Sequence, residues 1–252
     1  MHPQRGLEPH RLPPATRPPS GCDNGRVQDA DKSSLQDQLD LITQNTRRLV
    51  QAERLAFSEN AIAELFATGI ESLILPIGSI APQFTLHDAA RKTVHSADLL
   101  ALGPLVINFF RGRWCPYCVT ELEMWSDLYP ELRRKGALLV AISPQTQRQN
   151  AFTNEQHKLP FPLLADPGCQ VAEQFGIAYT VSPAQRRYFQ SILINIPFNN
   201  AGLNYQTATE ASWRLLLPGV FVVRPDSTVA FSRAYADFRV RPDPAEALAA
   251  LD

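Results

Sequence analysis

Cys115 and Cys118 enclose Pro116 and Tyr117, and two thiols at this spacing can do what one cannot: the first attacks an electrophile and the second closes a disulfide with it. The sulfur that attacks must be a thiolate. At a helix start, unpaired backbone N–H groups and the helix dipole favour an anion, so one thiol of a Cys-x-x-Cys falls from about 8.5 to roughly 3.5–7.5. Pro116 suits such a start, because its missing N–H would be unpaired there anyway. Arg111 and Arg113 bring positive charge close by in sequence. A zinc site also uses this spacing but needs four ligands. The chain has four cysteines, and Cys22 and Cys169 form no second close pair, so no metal is expected. Two structural core cysteines are the plainer alternative and weigh less than a redox pair. Cys169 opens a helix of its own but has no partner at fixed spacing, and Cys22 is a bystander.

The elements around the pair are legible from periodicity. Leu105 to Phe110 is β-branched and aromatic without charge, a buried strand that stops at the turn chemistry of Arg111-Gly112. Leu122, Trp125, Leu128 and Leu132 then recur at three and four residues, one face of a helix that Gly136 closes. Ala137–Ile142 is a second apolar strand, ended by Ser143-Pro144. Two such strands joined by a helix call for a parallel sheet covered on both faces. A helix at 148–158, a short strand at 161–165, a turn at Asp166-Pro167-Gly168 and a helix at 170–175 follow. Strands at 215–223 and 228–231 close the sheet around the turn Arg224–Ser227, and Pro242–Leu251 is the last helix. Before the pair, short strands at 84–86 and 92–94 and a helix at 98–102 open the domain. Between Ile177 and Trp213 prolines and asparagines break every periodic run. This insertion is expected either to line the site entrance, with Tyr179, Tyr188 and Phe198 as candidate pocket residues, or to cover the sheet edge.

Residues 1–33 are rich in proline with no apolar period and read as a disordered tail. Residues 34–77 carry amphipathic stripes, one from Leu35 to about Phe57 and another from Ser58 to Ala67. They form a helical extension that packs on the main domain or bridges a homodimer. The remaining 78–252 are the catalytic domain. A net charge of −1 gives no case for nucleic acid or an anionic membrane as partner, and no apolar run approaches the roughly 18–20 residues of a membrane helix. The start Met1-His2-Pro3-Gln4 leads into no signal-peptide core, so the expected compartment is the cytoplasm.

The order of elements, Trp114-Cys115-Pro116-Tyr117-Cys118 and the strand led by Pro218 resemble the thioredoxin fold: an α/β domain with a central mixed sheet flanked by helices, here with its N-terminal helical extension. Ala81-Pro82-x-Phe84-x-Leu86, Ile142-Ser143-Pro144-Gln145 and Leu159–Pro167 are more narrowly similar to the alkyl hydroperoxide reductase C and thiol-specific antioxidant group, including its peroxiredoxin-like proteins with Arg-Gly-x-Trp-Cys-Pro-Tyr-Cys. The resemblance implies a thiol-dependent peroxidase acting on hydrogen peroxide or organic hydroperoxides, recycled by a thioredoxin-type dithiol and needing no cofactor. It implies Cys118 and Cys115 as the redox pair, supported by Arg111, Trp114, Pro116, Tyr117 and Pro218, with Pro218 in a cis peptide lying against the thiols. The group's proline and threonine before the peroxidatic cysteine are missing: counted from Cys118 those places hold Arg111 and Cys115, and counted from Cys115 they hold Asn108 and Gly112. Thr120 or Tyr117 is left to supply the hydroxyl. As a peroxidase, Cys118 attacks and Cys115 condenses with the sulfenic acid. As a disulfide reductase, the alternative, Cys115 attacks and Cys118 resolves. A second alternative is a binding module that has kept the fold without turnover.

Overall fold

A computed structural model describes residues 33–251. The expected Pro-rich tail, Cys22 included, lies outside the described residues but for Ser33. The centre is a seven-stranded sheet built from β1 (Thr85–Asp88), β2 (Thr93–His95), β3 (Leu105–Phe109), β4 (Leu138–Ser143), β5 (Leu163–Ala165), β8 (Gly219–Val223) and β9 (Val229–Ala234), in the order β2-β1-β5-β4-β3-β8-β9. β3, β4 and β5 run parallel, while β1 and β8 pair antiparallel with their neighbours. The sheet is therefore mixed, as the resemblance implies.

Every residue of β3 is buried, because both faces of the sheet are covered. Leu105, Ile107 and Phe109 point into one core with Phe175, Ile177 and Phe221. Val106 and Phe110 point into the other, under α4 (Pro116–Arg134), whose Leu122, Trp125 and Leu132 supply the predicted stripe. The period of two along the strand thus sorts residues between layers, and it turns Asn108 toward α4.

The N-terminal segment folds as α1 (Leu35–Leu49) and α2 (Ala52–Ala67). Ser34 caps α1 reciprocally with Asp37. The break falls at Val50-Gln51, both extended, and not near Ser58, which lies inside α2. The physical reason is the choice of partners. Leu35 and Leu39 of α1 join the core under α4, whereas α2 turns to meet α7 (Pro183–Ser191): Ser182 Oγ donates to Glu64 at 2.9 Å and Gln185 Nε2 to the carbonyl of Ala61 at 3.3 Å. Both helices pack on the main domain, the first of the two expected arrangements.

The segment 177–213 is a correction to the expectation of an irregular insertion. It holds β6 (Ala178–Thr180), α7, α8 (Ile196–Ala201) and a 3₁₀ turn. β6 pairs with β7 (Arg214–Leu216), and Val181, Phe189, Ile196, Trp213 and Leu215 make a small core of their own. Its prolines start helices. Ser182 caps α7 with Pro183 directly behind it, and Asn195 caps α8 ahead of Pro197.

The chain leading from α2 into the domain is clamped where Leu75 N donates to the carbonyl of Phe175 at 3.1 Å. Next to it Gly176 has φ +72°, and a Cβ there would lie 1.8 Å from the carbonyl oxygen of Leu73. Gly176→Ala is expected to destabilise the protein by more than about 2 kcal/mol, read by urea unfolding, since both the backbone conformation and the contact forbid a side chain. A loss under about 0.5 kcal/mol would mean that this clamp does not hold the extension down.

Candidate active site

β3 runs out at Phe109, and the chain crosses Arg111 to Trp114 before α4 begins with Cys115 as its N-cap and Pro116 in its first turn. Gly112, at φ +147°, permits this crossing: a Cβ would strike the Trp114 indole at 2.5 Å, so only glycine lets Trp114 fold back beside Arg111. Both sulfurs are free thiols. Cys115 is 2% exposed and Cys118 0%.

Their environments differ. Cys115 lines a cavity of about 260 Å³, whereas Cys118 lies behind it, one helical turn on, outside the lining. Burial pushes the Cys115 thiol up, but the hydrogen bond from Cys118 and the charges of Arg111 and Arg241 outweigh it and bring it down to about 6. Burial pushes Cys118 well up, and the sulfur of Cys115 pushes further in the same direction against both arginines. The stable pairing is a Cys115 thiolate accepting from a Cys118 thiol. Arg111 and Arg241 pull on both sulfurs, and only at Cys115 does that pull outweigh burial.

Arg111 is the cation that matters. It is buried, and its guanidinium lies 4.9 Å from the Trp114 ring centroid, 4.3 Å from Phe238 and 5.9 Å from Phe189. Among the described residues no carboxylate pairs with it and its Nε has no hydrogen-bond partner. A buried cation caged in aromatic faces without a counter-ion leaves the Cys115 thiolate as its anion. Arg113 instead turns to α5 (Gln147–His157), with its backbone N donating to Gln145 Oε1 at 3.0 Å and Nε to Gln149 at 2.9 Å. It is absent from the cavity wall.

Tyr117 is in the wall, and its hydroxyl is 3.1 Å from Thr43 Oγ1 on α1. Thr43 spends its own proton on the Leu39 carbonyl at 3.1 Å, so Tyr117 donates to Thr43 and has no proton left for a ligand. Thr120 does not line the cavity. Pro116 is exposed and also lines the cavity. Of the insertion's aromatics, Tyr179 and Tyr188 line the cavity and Phe198 does not.

Pro218 requires correction. No described peptide bond is cis, and Pro218 is buried but not in the cavity wall. The chain passes straight from one ladder to the next: Leu216 pairs with Ala178, Leu217 N donates to Ile177 O at 2.8 Å, and Gly219 pairs with Phe109. An extended trans path fits between these anchors, and a residue between two ladders loses nothing by lacking an N–H.

Beneath Cys118 lies a group that motif reading missed. The side chains of Glu121 and Arg241 are both 0% exposed, with Arg241 Nε donating to Glu121 Oε2 at 2.9 Å. Arg241 Nη2 reaches Cys118 Sγ at 3.4 Å, its Nη1 donates to the Phe238 carbonyl, and the backbone N of Arg111 reaches the same sulfur at 3.4 Å. Burial pushes Glu121 up to about 7 against the opposing pull of Arg241, and Asn108 on β3 lies beside it. Glu121 was visible as a charge on the apolar face that holds Cys118 and Leu122. Nothing around Arg239-Val240-Arg241 marked Arg241. Cys169 opens the five-residue helix α6 (Gln170–Gln174) but is buried, and burial pushes its thiol well up, so it takes no part.

The chain matches the AhpC/TSA family over residues 77–232. It is a member of that family. Among curated relatives, this AhpC/TSA protein is 36% identical over 103 residues to a putative peroxiredoxin, Bcp, of Haemophilus influenzae, covering 41% of this chain and 66% of that one. It is 30% identical over 105 residues to the thiol-disulfide oxidoreductase ResA of Bacillus thuringiensis, covering 41% and 59%. Across such relatives the chain spans from about half to two thirds of their length. Among solved structures, the peroxidoxin BcpB of Mycobacterium tuberculosis superposes with a TM-score of 0.53 at 23% identity, covering 70% of this chain and 96% of that one. The superposition establishes the shared thioredoxin-like fold. The family match stops short of α1 and α2 and of Arg241.

Proposed function

We propose that this AhpC/TSA protein is a thiol-dependent peroxidase in which Cys115 attacks the peroxide and Cys118 resolves. The observation that carries the reading is that Cys115, low in pKa and beside the unpaired cation of Arg111, is the one thiol of the pair facing the cavity. The thiolate displaces RO⁻ from ROOH, forming an S–O bond as the O–O bond breaks. The sulfur becomes a sulfenic acid and the leaving oxygen takes a proton. Arg111 is placed to donate to the oxygens as charge develops on them, the task that the absent threonine leaves open. Cys118 then attacks Cys115, releasing water and closing the disulfide, which an external thioredoxin-type dithiol reduces. This exchanges the roles that the sequence register suggests for the pair.

A disulfide reductase, as the name of the ResA relative suggests, would use the same order of attack. The 2% exposure of Cys115 favours the peroxidase, because a hydroperoxide reaches that sulfur through the mouth of the cavity, whereas attack on a protein disulfide requires the site to open first, as does the later reduction of its own disulfide. The deciding experiment mixes fully reduced protein with peroxide, then adds dithiol. One equivalent is expected to be consumed at once and turnover to follow. The first-phase rate should rise with pH to a plateau, half-maximal near pH 6, as Cys115 ionises. Peroxide loss no faster than with a free thiol, together with turnover of insulin disulfides, would replace the peroxidase reading with the reductase.

A further inference from the structure

The cavity is larger and more apolar than hydrogen peroxide requires. Its floor is Arg111, Trp114 and Cys115, but much of its wall comes from α1 and α2, which lie outside the family match. Leu55, Ile62 and Leu65 of α2 line it together with Tyr179, Phe189 and Phe238. Arg47, at the end of α1, and Arg54, at the start of α2, also line it and are exposed, so they stand at the mouth. Thr43 touches Tyr117 near the thiols, and Arg47 is one turn further along α1, about 6 Å outward. One acidic side chain shares the lining. It is Glu59, whose carboxylate is occupied by Arg239 at 2.6 Å, with Arg47 3.9 Å away. Arg54 has no carboxylate partner among the described residues. From floor to mouth the order is a thiolate beside a buried cation, an apolar and aromatic barrel, and a cationic rim.

We propose that the N-terminal helical pair makes this cavity a binding site for an amphipathic organic hydroperoxide: an apolar chain or ring carrying the peroxide at one end, toward Cys115, and a carboxylate at the other, at Arg47 and Arg54. The proposal rests on the peroxidase reading for the reaction and on the cavity alone for the ligand. The chemistry is unchanged. Cys115 takes the terminal oxygen, the organic residue leaves as its alcohol, and the apolar wall binds the part of the molecule that hydrogen peroxide lacks. Apolar burial makes the selection, because a few methylenes removed from water outweigh the small advantage of a smaller substrate. The rim adds a lesser, salt-sensitive preference for the acid over its ester.

The test compares the first-phase rate of reduced protein with four probes: hydrogen peroxide, cumene hydroperoxide, a linoleate hydroperoxide and the methyl ester of the last. Both long-chain probes are expected to react at least about tenfold faster than hydrogen peroxide. The acid should exceed its ester by about threefold at low salt. That acid-to-ester ratio should fall to one in Arg47→Ala/Arg54→Ala, and a ratio within each protein is insensitive to any loss of folded material. Ile62→Trp, which fills the barrel, should lower the organic-to-hydrogen-peroxide ratio. Equal rates for all four probes with wild type would overturn the site and leave the peroxidase reading standing. If no probe is consumed, the peroxidase reading falls, and calorimetry with laurate answers for the cavity. Saturable binding that weakens in the double arginine variant upholds the site, and no binding overturns it.

Discussion

Cys115→Ser is expected to slow peroxide consumption by at least about a thousandfold, whereas Cys118→Ser should consume one equivalent and stop. The asymmetry follows from where each sulfur lies. Only Cys115 meets the cavity, and only Cys115 has its thiolate favoured, by the Cys118 thiol and by Arg111 and Arg241. In Cys118→Ser the serine hydroxyl can still donate to that thiolate, so attack survives while resolution is lost. The sulfenic acid should then persist long enough to be trapped by dimedone and seen by mass spectrometry on the peptide containing Cys115. The reverse pattern, with Cys118→Ser inert and Cys115→Ser trapped at Cys118, would assign attack to the buried sulfur and require α4 to open at its first turn.

Removing the cation under the thiols should cost nearly as much in stability as the cysteine change costs in rate. Arg241→Met leaves Glu121 fully buried with no cation, for which about 3–5 kcal/mol is expected. That loss corresponds to a fall in Tm of roughly 6–20 °C for a domain of this size. Replacing both partners, as in Glu121→Gln/Arg241→Met, should recover most of it, because no buried charge is then stranded. The pH dependence has a definite sign. Glu121 is raised in the folded state from 4.5 to about 7, burial being the largest cause and Arg241 opposing it. The native state therefore holds a proton that the unfolded chain has released. The stability due to this group is complete below about pH 4.5 and is lost as pH rises through about 7, at most about 3 kcal/mol in all. Urea unfolding of wild type from pH 5 to 8 should show that decline, and Glu121→Gln should flatten it. An unchanged slope in Glu121→Gln would place the titration elsewhere.

Elements that depend on local period and local chemistry are legible in the amino-acid sequence alone. β3, α4 and β4 lie within one residue or so of where the apolar runs place them, since a strand buried on both faces and a helix with one buried stripe leave patterns that nothing else makes. The redox pair was legible as a spacing, and its place at a helix start followed from Pro116 and the stripe behind it. Leu35 and Leu39 likewise announced α1. In the insertion, Pro183 and Pro197 break the apolar period, yet Ser182 and Asn195 ahead of them make them helix starts. That information was local and present.

Other features had no local trace. Which sulfur carries the charge is decided by what surrounds it: Arg111 held by Trp114 and Phe238, and Arg241 arriving 123 residues after Cys118. A pKa depends on burial and on charges a few ångströms away, and neither is written in the spacing of a motif. The cavity is likewise a product of packing, walled by α1, α2 and α7 over a floor made by the Arg111–Cys115 stretch ahead of α4, with Arg239 joining α2 to the C-terminal loop through Glu59 and Asp237. The trans path through Pro218 was set by the two ladders it connects, β7 before it and β8 after it. Which thiol bears the charge was thus settled by the surroundings of the pair, because electrostatics and enclosure act through space, while the spacing in the sequence already singled out the two candidate sulfurs.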